Sequence, residues 1–404
     1  MSSGKPLPPS RVLLFHSDLR GAGGAERLLW EEERFFVQKG FEVRVITFTL
    51  EDQALFDYTP KDLEVLSAGA DAISRIRSLR QELRRYRPKL VVVQNTSDSM
   101  LMYVAKAGLR IPCLTHIHGT LFWFPDDDKK YATIFRHAFD RVRSSVFGHS
   151  AFIPPRRRFS ILERVRIECL GLLNYLAVRN SYLVIVLTEQ VQWEVQELYG
   201  KEAVVARGCL GSKFLVPKAP RMPRLMHCMR GQRVILSLGR LDKRKRIDLL
   251  IRAFGKVAET WHDVHLAIGG TGEEEAALRE LVEQLGLVKR VTFLGFIPDS
   301  ELVDYYRAAD VFAFPSWTSS GITPYEALAV GLKVVWTSEA SEPVLGGANV
   351  FVADPTVESF SEGLDRALRT EIVEDMDVGI YSWSNYFETV LSALMQRGKE
   401  AVCQ

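Results

Sequence analysis

Between Ser316 and Gly331 the chain reads Ser-Trp-Thr-Ser-Ser-Gly-Ile-Thr-Pro-Tyr-Glu-Ala-Leu-Ala-Val-Gly, directly after the apolar run Val311-Phe-Ala-Phe-Pro315. An apolar run, a glycine and then a helix start describe a strand, a turn and a helix. The first N–H groups of such a helix have no partner inside it and attract anionic oxygen. Glu326, one turn in, adds an acceptor for hydroxyl groups. The segment therefore suits a ligand that carries both hydroxyls and phosphates. A second basic loop, Gly239-Arg240-Leu-Asp-Lys-Arg-Lys245, follows the apolar run that ends at Leu238. Cations placed just after a strand can neutralise a diphosphate as it leaves, arginine as a planar fork and lysine as a point charge. A basic loop alone is more often a solvated face.

Two further constellations lie in the first half. His16-Ser-Asp-Leu-Arg-Gly21-Ala-Gly23-Gly24-Ala25-Glu26 is a glycine turn after a strand. Gly23 and Gly24 let the backbone approach a ligand closely, but the turn could equally hold nothing, and Glu26 could be a first-turn carboxylate favoured by the helix dipole. Thr115-His116-Ile-His118-Gly119 ends a strand, with both histidines on one face. A metal pair lacks a third ligand at useful spacing, and a buried, hydrogen-bonded histidine is the ordinary alternative.

These residues need rigid elements to place them, and the chain supplies a repeating series. Short β-rich runs at Arg11–Phe15, Val43–Phe48, Leu90–Val93, Cys113–Ile117 and Leu183–Leu187 alternate with helical stretches. The series restarts after the stiff connector Pro217-Lys-Ala-Pro-Arg-Met-Pro223, with Val234–Leu238, His265–Ile268, Val291–Leu294, Val311–Phe314 and Val334–Trp336. Such alternation is the mark of parallel, doubly wound α/β sheets. Two Rossmann-like domains are expected, 1–215 and 216–380, with ligands gathering at the C-terminal ends of their strands. Trp383–Leu394 is expected to be helical, and Asp299 or Ser300 to cap a helix running through Tyr306.

The order of these motifs resembles the family 4 retaining glycosyltransferases, over almost the whole chain except 122–168. Gly23-Gly24-Ala-Glu26 matches the family turn that lies under the donor phosphate. His118 matches a histidine that reaches the donor sugar, and Arg240 with Lys245 matches the phosphate-binding pair. The family often has glycine after that lysine, where this chain has Arg246. Val291–Pro298 matches the segment whose backbone meets the nucleotide base, which carries over Phe296 and Ile297. Glu326 matches the second of two family glutamates eight positions apart; the first falls at 318, which is threonine.

The resemblance implies a GT-B architecture with residues 381–404 crossing back onto the first domain. It implies transfer of a hexose from a nucleotide-diphosphate sugar with retention of configuration, and no cofactor or metal. Glu326 would hold the ribose hydroxyls, and the N–H groups of Gly321, Ile322 and Thr323 the diphosphate or sugar. His118, Arg240 and Lys245 would serve catalysis. Thr318 would offer the sugar one uncharged hydrogen bond. Replacing a charge-assisted bond there costs roughly 1.5–3 kcal/mol, enough to change donor preference or slow turnover.

His16-Ser-Asp-Leu followed by Gly-Gly-Ala-Glu-Arg is also similar to the mannosyltransferases that extend dolichol-linked oligosaccharide. Three readings follow: a transferase acting on a lipid-linked glycan at a membrane surface, a soluble transferase acting on a small molecule or polysaccharide, and a catalytically silent binding or scaffold protein.

Composition fits this range. At 404 residues the chain accommodates two ordinary cores, and a net charge of +2 gives no reason to expect a nucleic-acid partner. The five cysteines form no C-x-x-C pair, as free thiols in a reducing compartment would. The first ten residues lack the apolar core of a secretory signal, so the expected location is the cytoplasm, at the cytoplasmic face of a membrane in the first reading. Residues 122–168 interleave Phe122-Trp-Phe124 with many arginines, which suits either a peripheral membrane contact or a solvated insertion.

Overall fold

The computed structural model describes residues 11–20, 23–52, 58–69, 71–119, 121, 160–208, 210–215, 231–316, 321–339, 347–371 and 378–402. Thr318, the connector 217–223 and residues 122–159 of the basic-aromatic segment lie outside them.

The chain forms two compact units. The first carries strands β1 (Arg11–Phe15), β2 (Glu42–Thr47), β3 (Leu63–Val65), β4 (Leu90–Val93), β5 (Cys113–Ile117), β6 (Leu183–Val186) and β7 (Val204–Val205). They pair in the order β3-β2-β1-β4-β5-β6-β7. Its helices are α1 (Gly24–Gln38), α2 (Ala72–Tyr86), α3 (Thr96–Ala105), α4 (Ile161–Arg179) and α5 (Glu189–Tyr199). The second unit carries β8 (Arg233–Leu238), β9 (Val264–Gly269), β10 (Val291–Gly295), β11 (Val311–Phe314), β12 (Lys333–Thr337) and β13 (Val350–Ala353). These pair as β10-β9-β8-β11-β12-β13. Between them run α6 (Ile247–Thr260), α7 (Glu275–Gln284), α8 (Leu302–Arg307), α9 (Ile322–Ala329) and α10 (Val357–Arg369). A last helix, α11, spans Trp383–Val402.

Every described strand pair is parallel. Parallel strands covered on both faces lose the apolar–polar alternation of a half-exposed sheet and read as continuous apolar runs. The central strands do so: β1 from Val12 onward, β6, β9 and β11 are buried throughout. Alternation survives only as a choice of face. Leu236, Phe312, Phe314, Val334 and Trp336 pack with Tyr306 and Tyr325 on one side of the second sheet. Ile235, Val311, Ala313 and Val335 pack with α6 and α10 on the other. The edge strands β3 and β7 are only three and two residues long, too short for the sequence pattern to reveal.

Helix starts follow local chemistry in most places. Asp71, Asn95, Thr188 and Thr356 each accept a backbone N–H at an N-cap, and Ser160 with Glu163 forms a capping box. The expected cap at Asp299 or Ser300 is not made. α8 begins after Glu301 without a side-chain cap, and Asp299 pairs instead with Lys213 at 2.6 Å.

The chain leaves the first unit between Arg207 and Gly208 and returns between Asn385 and Tyr386. The exit precedes the expected 215/216 because Leu210 bridges to Ser382 and Phe214 packs edge-on against Tyr306. From Tyr386 onward α11 belongs to the first unit. Phe387 stacks on Phe35 of α1 at 4.9 Å, Lys39 pairs with Glu388, and Arg397 donates to the Tyr182 carbonyl. Phe387→Ala is expected to lower the stability of the first unit by about 3–5 kcal/mol, through lost burial and the cavity left behind. A urea melt should show its transition at lower denaturant; an unmoved transition would mean that the helix adds no packing.

Candidate functional site

In the second sheet β8 lies between β9 and β11, so successive crossovers on its two sides run in opposite directions. The loops after β8 and β11 therefore diverge, and an open α/β sheet binds ligands at this point. Both chemical loops of the second half arise there. Gly239, Arg240 and Lys245 follow β8; Gly321, Ile322, Thr323 and Glu326 follow β11. The two sides touch, with the Lys245 ammonium 5.0 Å from the centroid of the Phe314 ring at the end of β11.

Backbone contacts fix the β8 side. Gly239 N–H donates to the Gly269 carbonyl, Leu241 N–H to Thr271, and Gly270 N–H to Gly295. The ends of β8, β9 and β10 are thus tied into one corner. Gly270 has φ +122, and a Cβ there would run into the Gly239 carbonyl. Ile297 reaches back over Gly269, while Phe296 stands exposed just past β10. Arg240 is exposed at the corner's rim.

Lys245 closes a 3-10 turn, Lys243–Lys245, that Asp242 caps. Burial, together with the neighbouring Arg244 and Arg240 charges, lowers its pKa to about 8 against the pull of Asp242. Asp242 is largely committed elsewhere, since Arg244 pairs with it at 2.7 Å. Arg246 then adopts φ 47 and ψ 41, the left-handed conformation that glycine takes easily. Its guanidinium forms a two-pronged pair with Glu339 just after β12, which compensates a backbone cost of order 1–3 kcal/mol.

On the β11 side Gly321 is the N-cap of α9, and no side chain caps the helix. A side chain at 321 would collide with the Phe314 ring, so the turn needs glycine for close approach. Glu326 sits one turn in and is only 1% exposed. One of its oxygens accepts the Tyr306 hydroxyl at 2.8 Å. An ionised carboxylate has about four acceptor positions over its two oxygens, so a bound diol would share the carboxylate with Tyr306. Sequence reading missed Tyr306, whose buried hydroxyl carried no periodic signal.

The first sheet has its own switch point, between β1 and β4. Gly23 is the N-cap of α1 and Gly24 its first residue, again with no side-chain cap. Beyond β4, Asn95 caps α3, and the buried Asp98 carboxylate accepts the Ser17 N–H at 3.2 Å. Desolvation raises the Asp98 pKa despite His16 nearby. His118 follows β5, with Nε2 3.1 Å from Gln94 Oε1, and desolvation together with His116 and His16 pushes its pKa well below the ordinary range. Its ring stacks on His116 at 5.9 Å. Among the described residues no group of three or more His, Cys, Asp or Glu side chains could hold a metal.

Two all-parallel, doubly wound sheets with glycine-lined switch points define the GT-B class of folds. The solved structure of Anabaena HepE in complex with UDP and glucose has a TM-score of 0.73 to this chain at 17% identity, covering 95% of this chain and 99% of that one. The Glycosyltransferase Family 4 model matches residues 22–209, and the Glycosyl transferases group 1 model matches residues 229–379. The chain belongs to this glycosyltransferase family. An uncharacterised glycosyltransferase of Methanocaldococcus jannaschii is 31% identical over 235 residues, 53% of this chain and 60% of that protein. The GDP-mannose-dependent alpha-(1-6)-phosphatidylinositol monomannoside mannosyltransferase of Mycolicibacterium smegmatis is 37% identical over 133 residues, 30% of this chain and 35% of that protein. The chain thus spans only part of the length of these relatives.

The lowered Lys245 pKa has a measurable consequence. A bound diphosphate favours the ammonium, so binding takes up a proton once the pH exceeds about 8. Affinity for UDP or GDP should be level just below that pH and weaken above it. Lys245→Arg, whose charge does not titrate, should flatten the profile. Isothermal titration in a series of buffers reads this directly, and a level wild-type profile up to about pH 10 would contradict it.

Proposed function

We propose that the protein is a retaining glycosyltransferase that moves a hexose from a nucleotide-diphosphate sugar to an acceptor. The observation that carries this reading is the second switch point, where a desolvated lysine, the uncapped start of α9 and a buried glutamate meet around one corner. In this reading the amides of Gly321, Ile322 and Thr323 hold the diphosphate. Arg240 and Lys245 stabilise the charge that develops as the sugar leaves, the task that a divalent cation performs in other transferases. Glu326 takes the ribose hydroxyls, and Phe296 with Ile297 meets the base. Retention, and the role of His118 at the sugar with Gly23 and Gly24 near the donor phosphate, rest on the family resemblance. Thr318 in place of a glutamate tunes donor choice or rate.

This assignment separates two kinds of variant. Lys245→Ala should weaken both pyrophosphate and nucleoside diphosphate. Glu326→Gln should weaken only the nucleoside diphosphate, by roughly 1.5–3 kcal/mol, or about tenfold and more. A thermal-shift screen across uridine, guanosine and adenosine diphosphate sugars identifies the donor to use. The transferase reading fails, in favour of a silent binding protein, if wild type releases no nucleoside diphosphate with any common donor and acceptor.

A lipid-linked glycan is the proposed acceptor, at the cytoplasmic face of a membrane. Supporting this, the first turns of α4 expose Ile161 (80%), Leu162 (84%) and Val165 beside Arg164 and Arg166. Among the described residues no helix is long and apolar enough to cross a membrane. Wild type should float with anionic vesicles, and Ile161→Glu with Leu162→Glu should stay in the pellet. Equal flotation of both would direct attention to an acceptor free in solution.

A further inference from the structure

Helix α4 turns its larger apolar side chains away from the core. Its buried residues are Gly171, Asn174, Ala177 and Val178, none larger than asparagine or valine. On the opposite face Ile161, Leu162, Val165, Cys169 and Leu172 follow one another at helical spacing, and all are exposed. The same face continues to Arg179, two turns beyond Leu172 and also exposed. Over its 19 residues α4 is about 28 Å long, so this is a continuous strip rather than a feature of the first turns.

Arg179 belongs to a cluster of three cations. Its Nη1 donates to the Tyr199 carbonyl at 3.1 Å and the Gly200 carbonyl at 3.4 Å, at the end of α5. The next residue, Lys201, donates to the Ser181 carbonyl at 2.7 Å, and Arg397 of α11 donates to the adjoining Tyr182 carbonyl at 2.9 Å. The cluster thus sits where β6 starts, at the edge of the first sheet opposite the loop of His118. Among the described residues none of the three pairs with a carboxylate. Burial and the charges of Arg397 and Arg179 lower the Lys201 pKa, against the pull of Glu202. Capping of helix ends accounts for part of this arrangement. A helix C-terminus carries about half a negative charge, so the ends of α4 and α5 offset about one cation and Glu202 another. About one positive charge is left over. Near the first turns Arg164 and Arg166 likewise pair with no described carboxylate, while Glu163 is held in the capping box.

We propose that α4 lies lengthwise on an anionic bilayer, its exposed apolar face in the interface, with a lipid phosphoryl group held by Arg179, Lys201 and Arg397 at its C-terminal end. The proposal rests on the membrane reading given above. It extends that reading from an anchor in the first turns to a helix engaged along its length, with a site for one class of head group. Each cation spends one nitrogen on a carbonyl and keeps further donors for phosphoryl oxygens. A bound anion relieves the mutual repulsion of the three cations. A second copy of this chain would bring the same positive surplus to the rim of the strip, whereas an anionic lipid surface complements it at both ends.

The test uses the full-length protein and vesicles of phosphatidylcholine with or without phosphatidylglycerol. Lys201→Gln with Arg397→Gln removes two charges and keeps an amide donor for each carbonyl. It should weaken partitioning onto the anionic vesicles about fivefold per charge and leave the weaker binding to neutral vesicles unchanged. Leu172→Gln, three turns from the start of α4, should weaken binding to both about tenfold. As a control, Arg252→Gln with Lys289→Gln removes two exposed charges of the second unit and should change neither by more than about twofold. An equal loss from this control would trace the attraction to net charge and overturn the site. If Leu172→Gln and the two-cation variant partition like wild type, the membrane reading through Ile161 and Leu162 stands and the present proposal falls. Inorganic phosphate offers the same oxygens without a bilayer. If it stabilises wild type but not the two-cation variant while vesicles fail to bind, the site takes a free phosphate and the lipid assignment is overturned. Binding of wild type to neither vesicles nor phosphate would remove both readings.

Discussion

The constraint on which the rest depends is the order of strand pairing. Each sheet starts at its centre, with β1 and β8, and grows first to one side and then to the other. A parallel neighbour can be reached only by a right-handed crossover, so reversing direction separates two consecutive loops at the C-terminal edge. Everything with chemical potential in the second unit is attached to that separation: the turn after β8, the turn after β11 and the helices they start. Moving β11 to the far side of β10 would leave Lys245 and Glu326 in their sequence positions and destroy the site.

The two switch points use different physics. In the second unit the proposed recognition would rely on backbone amides, adjoining glycine turns and one cation whose solvation is reduced. Such a site binds charge and tolerates variation among side chains that do not crowd it. In the first unit the corresponding edge holds a chain of buried side chains, each hydrogen-bonded to the next. That arrangement is intolerant of change but defines direction, which suits discrimination among hydroxyl groups better than attraction of phosphate.

The fold was legible in the sequence because both-sided burial writes central parallel strands as apolar runs of four to six residues. Cys113–Ile117 and Val311–Phe314 fall where those runs place them. The second switch-point loops were legible too, as glycines and cations in a family order. The chain of buried side chains in the first unit was not. His116 and His118 attracted notice as a pair, but their partners Glu32, Gln94 and Tyr386 come from three remote stretches that sequence alone cannot bring together. One signal was available. Leu28, Glu32 and Phe36 lie four residues apart on the buried stripe of α1, so an acid stands where periodicity calls for an apolar residue. A charge on such a stripe must be paired, and looking for its partner would have led to the histidines.

Arg246 shows how a departure from a family pattern can keep its geometry. Where relatives often have glycine, this chain keeps the left-handed backbone and adds a side chain that Glu339 holds. The loop that carries Lys245 is thereby fastened to the end of β12, two strands away from β8. Glycine would permit the turn and leave the loop entropically loose; arginine costs backbone strain and fixes it. Removing Arg246 would also strand the Glu339 carboxylate in a partly buried position, so reversion to glycine is not a neutral change. The same logic bears on Thr318. A missing family residue is a loss only if no neighbour has taken over its constraint, and in this chain the loop after β8 has one more constraint, the Arg246–Glu339 pair, than the family pattern supplies.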